Sequence, residues 1–371
     1  MDCNTNHQNS SQTFHGNFPA QTSGGNSTTG SDRNVPAKRK RTCETGSAGA
    51  RKTRASEDPE HTWKRQRTSD PELSVDNARL KRKLSEQEAT PRKRQRVSSD
   101  AVDKASRREF EAKYKQLSQL GEGGYGSVYA GVRRADNLPV AIKHIPRDSV
   151  TGVTLQRRTL PLEVGIMLKI SSGAAEGKSR SISLLDYYFL DQELILVLER
   201  PFPVVDLFDH IVNSGGSLQE EETSMIIKQL VEAARELQTK NVFHRDIKLE
   251  NILIDTSTEA PRAKLIDFGL SCFTKKSSTF KVFCGTVDHI PPEWYRSKTY
   301  RAGPTTVWQL GVALYEVLHG CRFGTKNFLS GELKISDKLS ESCLEVLHFC
   351  LHEDPQERPS LEQLQLHPWL T

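Results

Sequence analysis

No run of apolar residues in the 371-residue chain approaches the length of about 18 that a membrane-spanning helix needs, so no membrane partner is expected. The opening stretch, MDCNTNHQNS, has no apolar signal core, so secretion is not expected either. Paired cysteines are missing as well. The seven, at positions 3, 43, 272, 284, 321, 343 and 350, are scattered and form no CxxC. They read as reduced thiols of an intracellular protein, without a zinc site. Aliphatic side chains are almost absent from the first thirty residues, which are mostly Asn, Ser, Thr, Gln and Gly. Such a segment buries too little to offset the entropy of ordering it.

What is there is charge, unevenly placed. Residues 1–112 carry 22 Lys and Arg against 15 Asp and Glu, whereas residues 113–371 carry 30 against 32. The net charge of +5 therefore belongs to the leading part, read here as a disordered, basic, Ser/Thr-rich extension. Its clusters are Lys38-Arg39-Lys40-Arg41, Lys64-Arg65-Gln66-Arg67, Lys81-Arg82-Lys83 and Arg92-Lys93-Arg94-Gln95-Arg96. A solvated polycationic tail is the plain reading; nuclear import and nucleic-acid contact are the functional ones. Import is favoured, because no aromatic residue lies within the four clusters to stack bases. The expectation is a nuclear and cytoplasmic protein that meets import receptors and not nucleic acid.

From Tyr114 the texture changes. Short β-rich runs come first: YKQLSQLG, GSVYAGVRR, PVAIKHI, SISLLDYYFL and LILVLE, with a helical LPLEVGIMLKI between the third and fourth. After residue 206 helical patterns dominate. SLQEEETSMIIKQLVEAARELQ opens with Ser217 and has Glu220 three residues on, the spacing of a capping box. TTVWQLGVALYEVLHG is apolar nearly all round and predicts a buried helix. A small β-rich lobe joined to a larger helical lobe is the coarse reading. At the junction, LILVLERPFPVVDLF sets Pro201 and Pro203 where a core strand turns into a helix, although proline cannot continue a sheet ladder.

Six motifs then fall in order. Gly121, Gly123 and Gly126 form G-x-G-x-x-G between two strands, a turn whose amides can approach phosphates. VAIK puts Lys143 in the next strand, and Glu163 lies in the following apolar helix, placed to pair with it. HRDIKLEN gathers His244, Arg245, Asp246, Lys248 and Asn251. Asp267-Phe268-Gly269 follows sixteen residues after Asn251, then PPE at 291–293 and ERPS with Arg358. With these, residues 114–371 resemble the protein kinases.

The resemblance implies an α+β, two-lobed fold, with an N-lobe over about 113–200, a hinge over 199–205 and a C-lobe over 206–371. It implies transfer of the γ-phosphoryl group of ATP, with Mg²⁺, to Ser or Thr hydroxyls of protein substrates. Asp246 would accept the hydroxyl proton, Lys248 would reach the transferring group, and Asn251 and Asp267 would offer Mg²⁺ hard oxygen ligands. ATP would meet Leu120, Gly121, Glu122, Gly123, Gly124, Tyr125, Gly126, Ser127, Val128 and Ala141, with Lys143 held by Glu163. Lys248 and Thr286 agree with Ser/Thr specificity, and Glu293 would pair with Arg358.

The hinge resembles that of the Pim family of Ser/Thr kinases. Pro201 stands where most kinases offer adenine a backbone donor, leaving the Glu199 carbonyl as the acceptor. IPPEW, Thr306 in place of the usual aspartate of the TTVWQLG helix, and HPWL agree. The family implies constitutive activity, a monomer, and preference for Arg/Lys-rich substrates through acids around the cleft, here Asp206, Asp209, Glu250 and Glu316. Leu249 and Cys321 depart from it, standing where acids are expected, and Lys275, Lys276 and Lys281 make the activation segment basic. Two other readings are a pseudokinase scaffold and a nuclear binding protein acting through the tail. The complete catalytic set speaks against the first, and the near-neutral folded part against the second.

Overall fold

Strand faces explain the small lobe. In β3 (Pro139–Pro146) Val140 and Ile142 point to one side of the sheet, Ala141 and Lys143 to the other. In β7 (Glu193–Glu199), Leu194, Ile195, Leu196 and Val197 are all buried, because both faces of the sheet are covered. The computed structural model describes residues 99–123, 126–155, 158–172, 179–257 and 260–371. Its main sheet is antiparallel with order β1-β2-β3-β7-β6, where β1 is Tyr114–Gly123, β2 Gly126–Arg133 and β6 Leu184–Phe189.

One face of that sheet is covered by α1 (Ser99–Lys113). This corrects the reading of 1–112 as disordered: its last fifteen or so residues are helical, while residues 1–98, with all four basic clusters, lie outside the described residues. The helix carries few apolar side chains, and Phe110 is its single buried large one. That ring packs on Tyr114 at 6.0 Å and Tyr188 at 5.4 Å, within a cluster with Val140, Ile142, Ile195 and Val197. Arg134 tethers the C-terminal end, donating its amide to Lys113 O at 2.8 Å and Nε to Glu111 O at 3.0 Å.

The other face carries α2 (Leu162–Ser171), the helix of Glu163. A hairpin not foreseen from sequence, β4 (Gly152–Leu155) with β5 (Arg158–Pro161), leads into it. Gly165 makes room: a Cβ there would stand 2.9 Å from Leu155 and 3.0 Å from Val153.

The large lobe packs α4 (Glu220–Thr239) against the buried α6 (Ala302–His319), with α8 (Glu341–Cys350) and α9 (Leu361–Gln365) beyond. The capping box expected at Ser217 does not form. The helix begins at Glu220 with Gln219 as N-cap, and the Glu220 carboxylate instead accepts from Ser340 N at 2.8 Å and Ser340 Oγ at 2.5 Å. Between the lobes, β8 (Val204–Asp206) pairs with β10 (Ile252–Asp255), which pairs with β11 (Arg262–Leu265). Pro201 lies between β7 and β8, outside any ladder, so its missing amide leaves no sheet bond unmade. Asp206 caps α3 (Leu207–Asn213) by accepting from Asp209 N at 2.8 Å.

Candidate active site

Three separate elements converge on Lys143. From β3, its Nζ bonds Glu163 Oε1 of α2 at 2.9 Å and Asp267 Oδ1 at 2.8 Å. Burial works against charge on this amine, but the two carboxylates outweigh it and raise its pKa. Burial also raises the pKa of Glu163, partly offset by Lys143. For Asp267 burial acts upward too, but Lys143 and the Gly269 amide, 3.2 Å from Oδ1, hold it below its ordinary value. Asp267 sits at φ 60°, a left-handed conformation that is strained for a side-chain-bearing residue and common at functional sites.

The catalytic loop runs from β9 (Val242–Phe243) into a single 3₁₀ turn, Leu249–Asn251, before β10. Asp246 is buried at 9% exposure and held from two sides. Asn251 Nδ2 donates to its backbone oxygen at 2.8 Å and to Oδ2 at 3.2 Å. Thr286 donates both its amide, at 3.0 Å, and its hydroxyl, at 2.7 Å, to Oδ1. Lys248 Nζ is 3.6 Å from Oδ2, near but not bonded. A carboxylate fixed this way can orient a hydroxyl and accept its proton, with an ammonium beside it. Gly285 brings Thr286 close: at φ +133° its Cβ would stand 2.6 Å from Arg245 O.

Contacts below the loop were less legible. His244 Nε2 donates to Ile266 O at 3.0 Å, and its Nδ1 accepts from Asp246 N at 3.3 Å. Burial lowers its pKa and keeps it neutral. Thr306, in place of the usual aspartate, turns back to Ala302 O at 2.8 Å. Gln309 supplies the missing support, donating Nε2 to Arg245 O at 2.6 Å. A polar residue inside an apolar helix was the available signal. Arg245, at φ 75°, lies 4.7 Å from the Phe280 ring centroid. Phe280 in turn packs against Phe243 at 5.5 Å and Tyr300 at 5.4 Å, and its backbone bridges Tyr300. Glu293 and Arg358 form the expected bidentate pair at 2.7 and 3.1 Å, buried under Trp308.

The remaining predicted positions divide. Gly121 and Gly123 face Val128 and Gly126 across the β1–β2 hairpin, with Glu122 opposite Ser127. Gly124 and Tyr125 lie outside the described residues. Val128 stands opposite Lys143 in the sheet, so the hairpin covers the lysine's strand, while Leu120 is exposed and Ala141 half-buried. Glu199 is the last residue of β7, its carboxylate taking Lys264 Nζ at 2.5 Å and Ser183 N at 3.2 Å. Glu316 departs from expectation. It is 2% exposed, accepts from Phe323 N at 3.0 Å and lies 3.6 Å from His289, so it is a buried acid and not an exposed one. Leu249 is buried core, whereas Cys321 is exposed.

The residues fit Mg²⁺ and ATP. Asn251 spends its nitrogen on Asp246, leaving its amide oxygen as a hard donor. The second oxygen of Asp267 has no protein partner among the described residues. Two lobes with a lysine between helix and aspartate, facing a fixed carboxylate, define a protein kinase. The protein kinase domain family matches residues 114–370. The chain is similar to the serine/threonine-protein kinase pim-2 of Danio rerio, 38% identical over 275 residues, 72% of this chain and 87% of the relative. It is also similar to the serine/threonine-protein kinase prk-2 of Caenorhabditis elegans, 36% identical over 270 residues, 70% of this chain and 59% of the relative. The chain thus belongs to the protein kinase family and, within it, to the Pim-like serine/threonine kinases.

Proposed function

We propose that the chain transfers the γ-phosphoryl group of Mg²⁺-bound ATP to Ser or Thr of protein substrates without needing an upstream kinase. The carrying observation is Lys143, bonded at once to Glu163 and Asp267. That arrangement supports the reading, since Lys143 would be the phosphate ligand and Asp267 a metal-binding carboxylate. Mg²⁺ would neutralise charge developing on the phosphates; the chain's own residues position and accept. Lys143 would hold the α/β-phosphates. Asp246, pinned by Thr286 and Asn251, would take the hydroxyl proton on its carboxylate. Independence from activation rests on the resemblance to the Pim family and on an activation segment that already carries Lys275, Lys276 and Lys281.

In the same reading the enzyme is a monomer that favours acceptors near Arg or Lys, drawn by Asp206, Asp209 and Glu250. It is nuclear and cytoplasmic, carried by import receptors that read the basic clusters. Purified Asp246→Asn should keep the fold and lose about 100-fold or more in kcat, the range of a positioned proton acceptor. Lys143→Met should lose phosphate positioning. Wild-type turnover in either variant would sink the roles assigned, and loss of nearly all activity after phosphatase treatment would sink independence from activation.

A further inference from the structure

Glu250, four residues past Asp246, does not stand alone. Asp206 lies opposite Leu253 in the β8–β10 pair, which brings it within electrostatic reach of Glu250 and Asp209. Three carboxylates thus meet next to the 3₁₀ turn that follows Asp246, where the kinase reading would lay a peptide. Such a cluster attracts cationic side chains.

The attraction is already partly answered. Arg322, in the turn after α6, donates Nη1 to Glu250 Oε1 at 2.6 Å. Its guanidinium lies 4.4 Å from the centroid of Phe208, the residue between Leu207 and Asp209 at the start of α3. It forms no other hydrogen bond among the described residues. Its side chain is 58% exposed, so these two contacts hold it and it is free to leave. The second oxygen of Glu250 is buried without a partner. The carboxylate is thus half satisfied, and what satisfies it is the chemistry a basic substrate would bring: a planar, charged fork of donors.

We propose that Arg322 is a specificity-determining residue, an internal guanidinium seated on the carboxylate that a substrate Arg or Lys would otherwise take. A basic side chain must displace it, so selectivity for basic peptides is weaker than three acids would give. The inference rests on the kinase reading and deepens its substrate class.

The test compares two peptides, identical except that Arg residues preceding the acceptor Ser are Ala in the second. The full chain, Arg322→Ala, Arg322→Lys and the double variant Arg322→Ala/Glu250→Gln are assayed on both. The ratio of kcat/KM, basic over neutral, should rise about three- to five-fold in Arg322→Ala, the upper range for a partly exposed ion pair. The rise should be carried by a lower KM for the basic peptide. Arg322→Lys should rise less, and the double variant should lose the gain. An unchanged ratio in Arg322→Ala would overturn the proposal. So would a falling one, since Arg322 would then be holding Glu250 in place for the peptide. Turnover of neither peptide by the wild type would overturn the kinase reading itself, and the proposal with it.

Discussion

Asp246 shows what single residues contribute. Its two oxygens are fixed by Thr286 and Asn251, and its backbone nitrogen by His244. His244 couples this arrangement to pH. Burial depresses its pKa below the ordinary value of 6.5, so the unfolded chain binds a proton in weak acid that the folded chain refuses. The stabilising contribution is whole above about pH 6.5 and is lost as pH falls toward the folded pKa, by up to about 1.4 kcal/mol per pH unit. Urea midpoints at pH 5.5 and 7.5 should therefore differ more in the wild type than in His244→Gln; an equal difference would exclude His244 as the titrating group. At this scale the sequence was most legible. Lys143, Glu163, Asp246, Asn251 and Asp267 are separated widely along the chain but fixed in order and type by the chemistry. Glu316 was not legible, because the same helical spacing serves an exposed acid and one buried against Phe323 N. Arg322 was not either, since its partner lies 72 residues away.

Among elements, α1 carries the clearest consequence. It is held by one buried ring and by polar contacts: Asp103 accepts from Asp191 N at 2.9 Å, and Arg107 pairs with Glu193. Phe110→Ala should remove most of the docking and cost about 3–5 kcal/mol, as for other buried Phe truncations. Urea denaturation of the full chain measures it; a cost under 1 kcal/mol would mean that the helix is not part of the folded unit. The helix escaped sequence reading because it holds too few apolar residues to announce itself, and tertiary contacts stabilise it. The β4–β5 hairpin escaped for a related reason: TGVTLQRRTL is short, mixed and charged, and what orders it is Gly165 beneath it. By contrast α6 and β7 were plain, since elements buried on all sides must be apolar throughout.

At the scale of the molecule, the charge divides as the sequence divides. Residues 113–371 are near-neutral and residues 1–112 basic, and the proposed import role of the basic clusters can be tested on its own. Replacing Lys81-Arg82-Lys83 and Arg92-Lys93-Arg94 with alanine should move a fluorescent fusion toward the cytoplasm. An unchanged distribution would leave the clusters as solvated charge. The two-lobed plan followed from the shift of period near residue 206, but the sheet order and the partners of β8 did not, because pairing between distant strands leaves no local mark.

The proline at the hinge also bears on small molecules. In the proposed reading, an ATP-competitive compound whose heteroaromatic ring presents one donor and one acceptor to this segment would find a partner only for the donor. Its acceptor, pressed against the Pro201 ring and stripped of water, would forfeit about 1–3 kcal/mol. Scaffolds that carry carbon or a nonpolar substituent at that atom escape the penalty, and so the chain's pharmacology should separate from that of kinases with a free amide there.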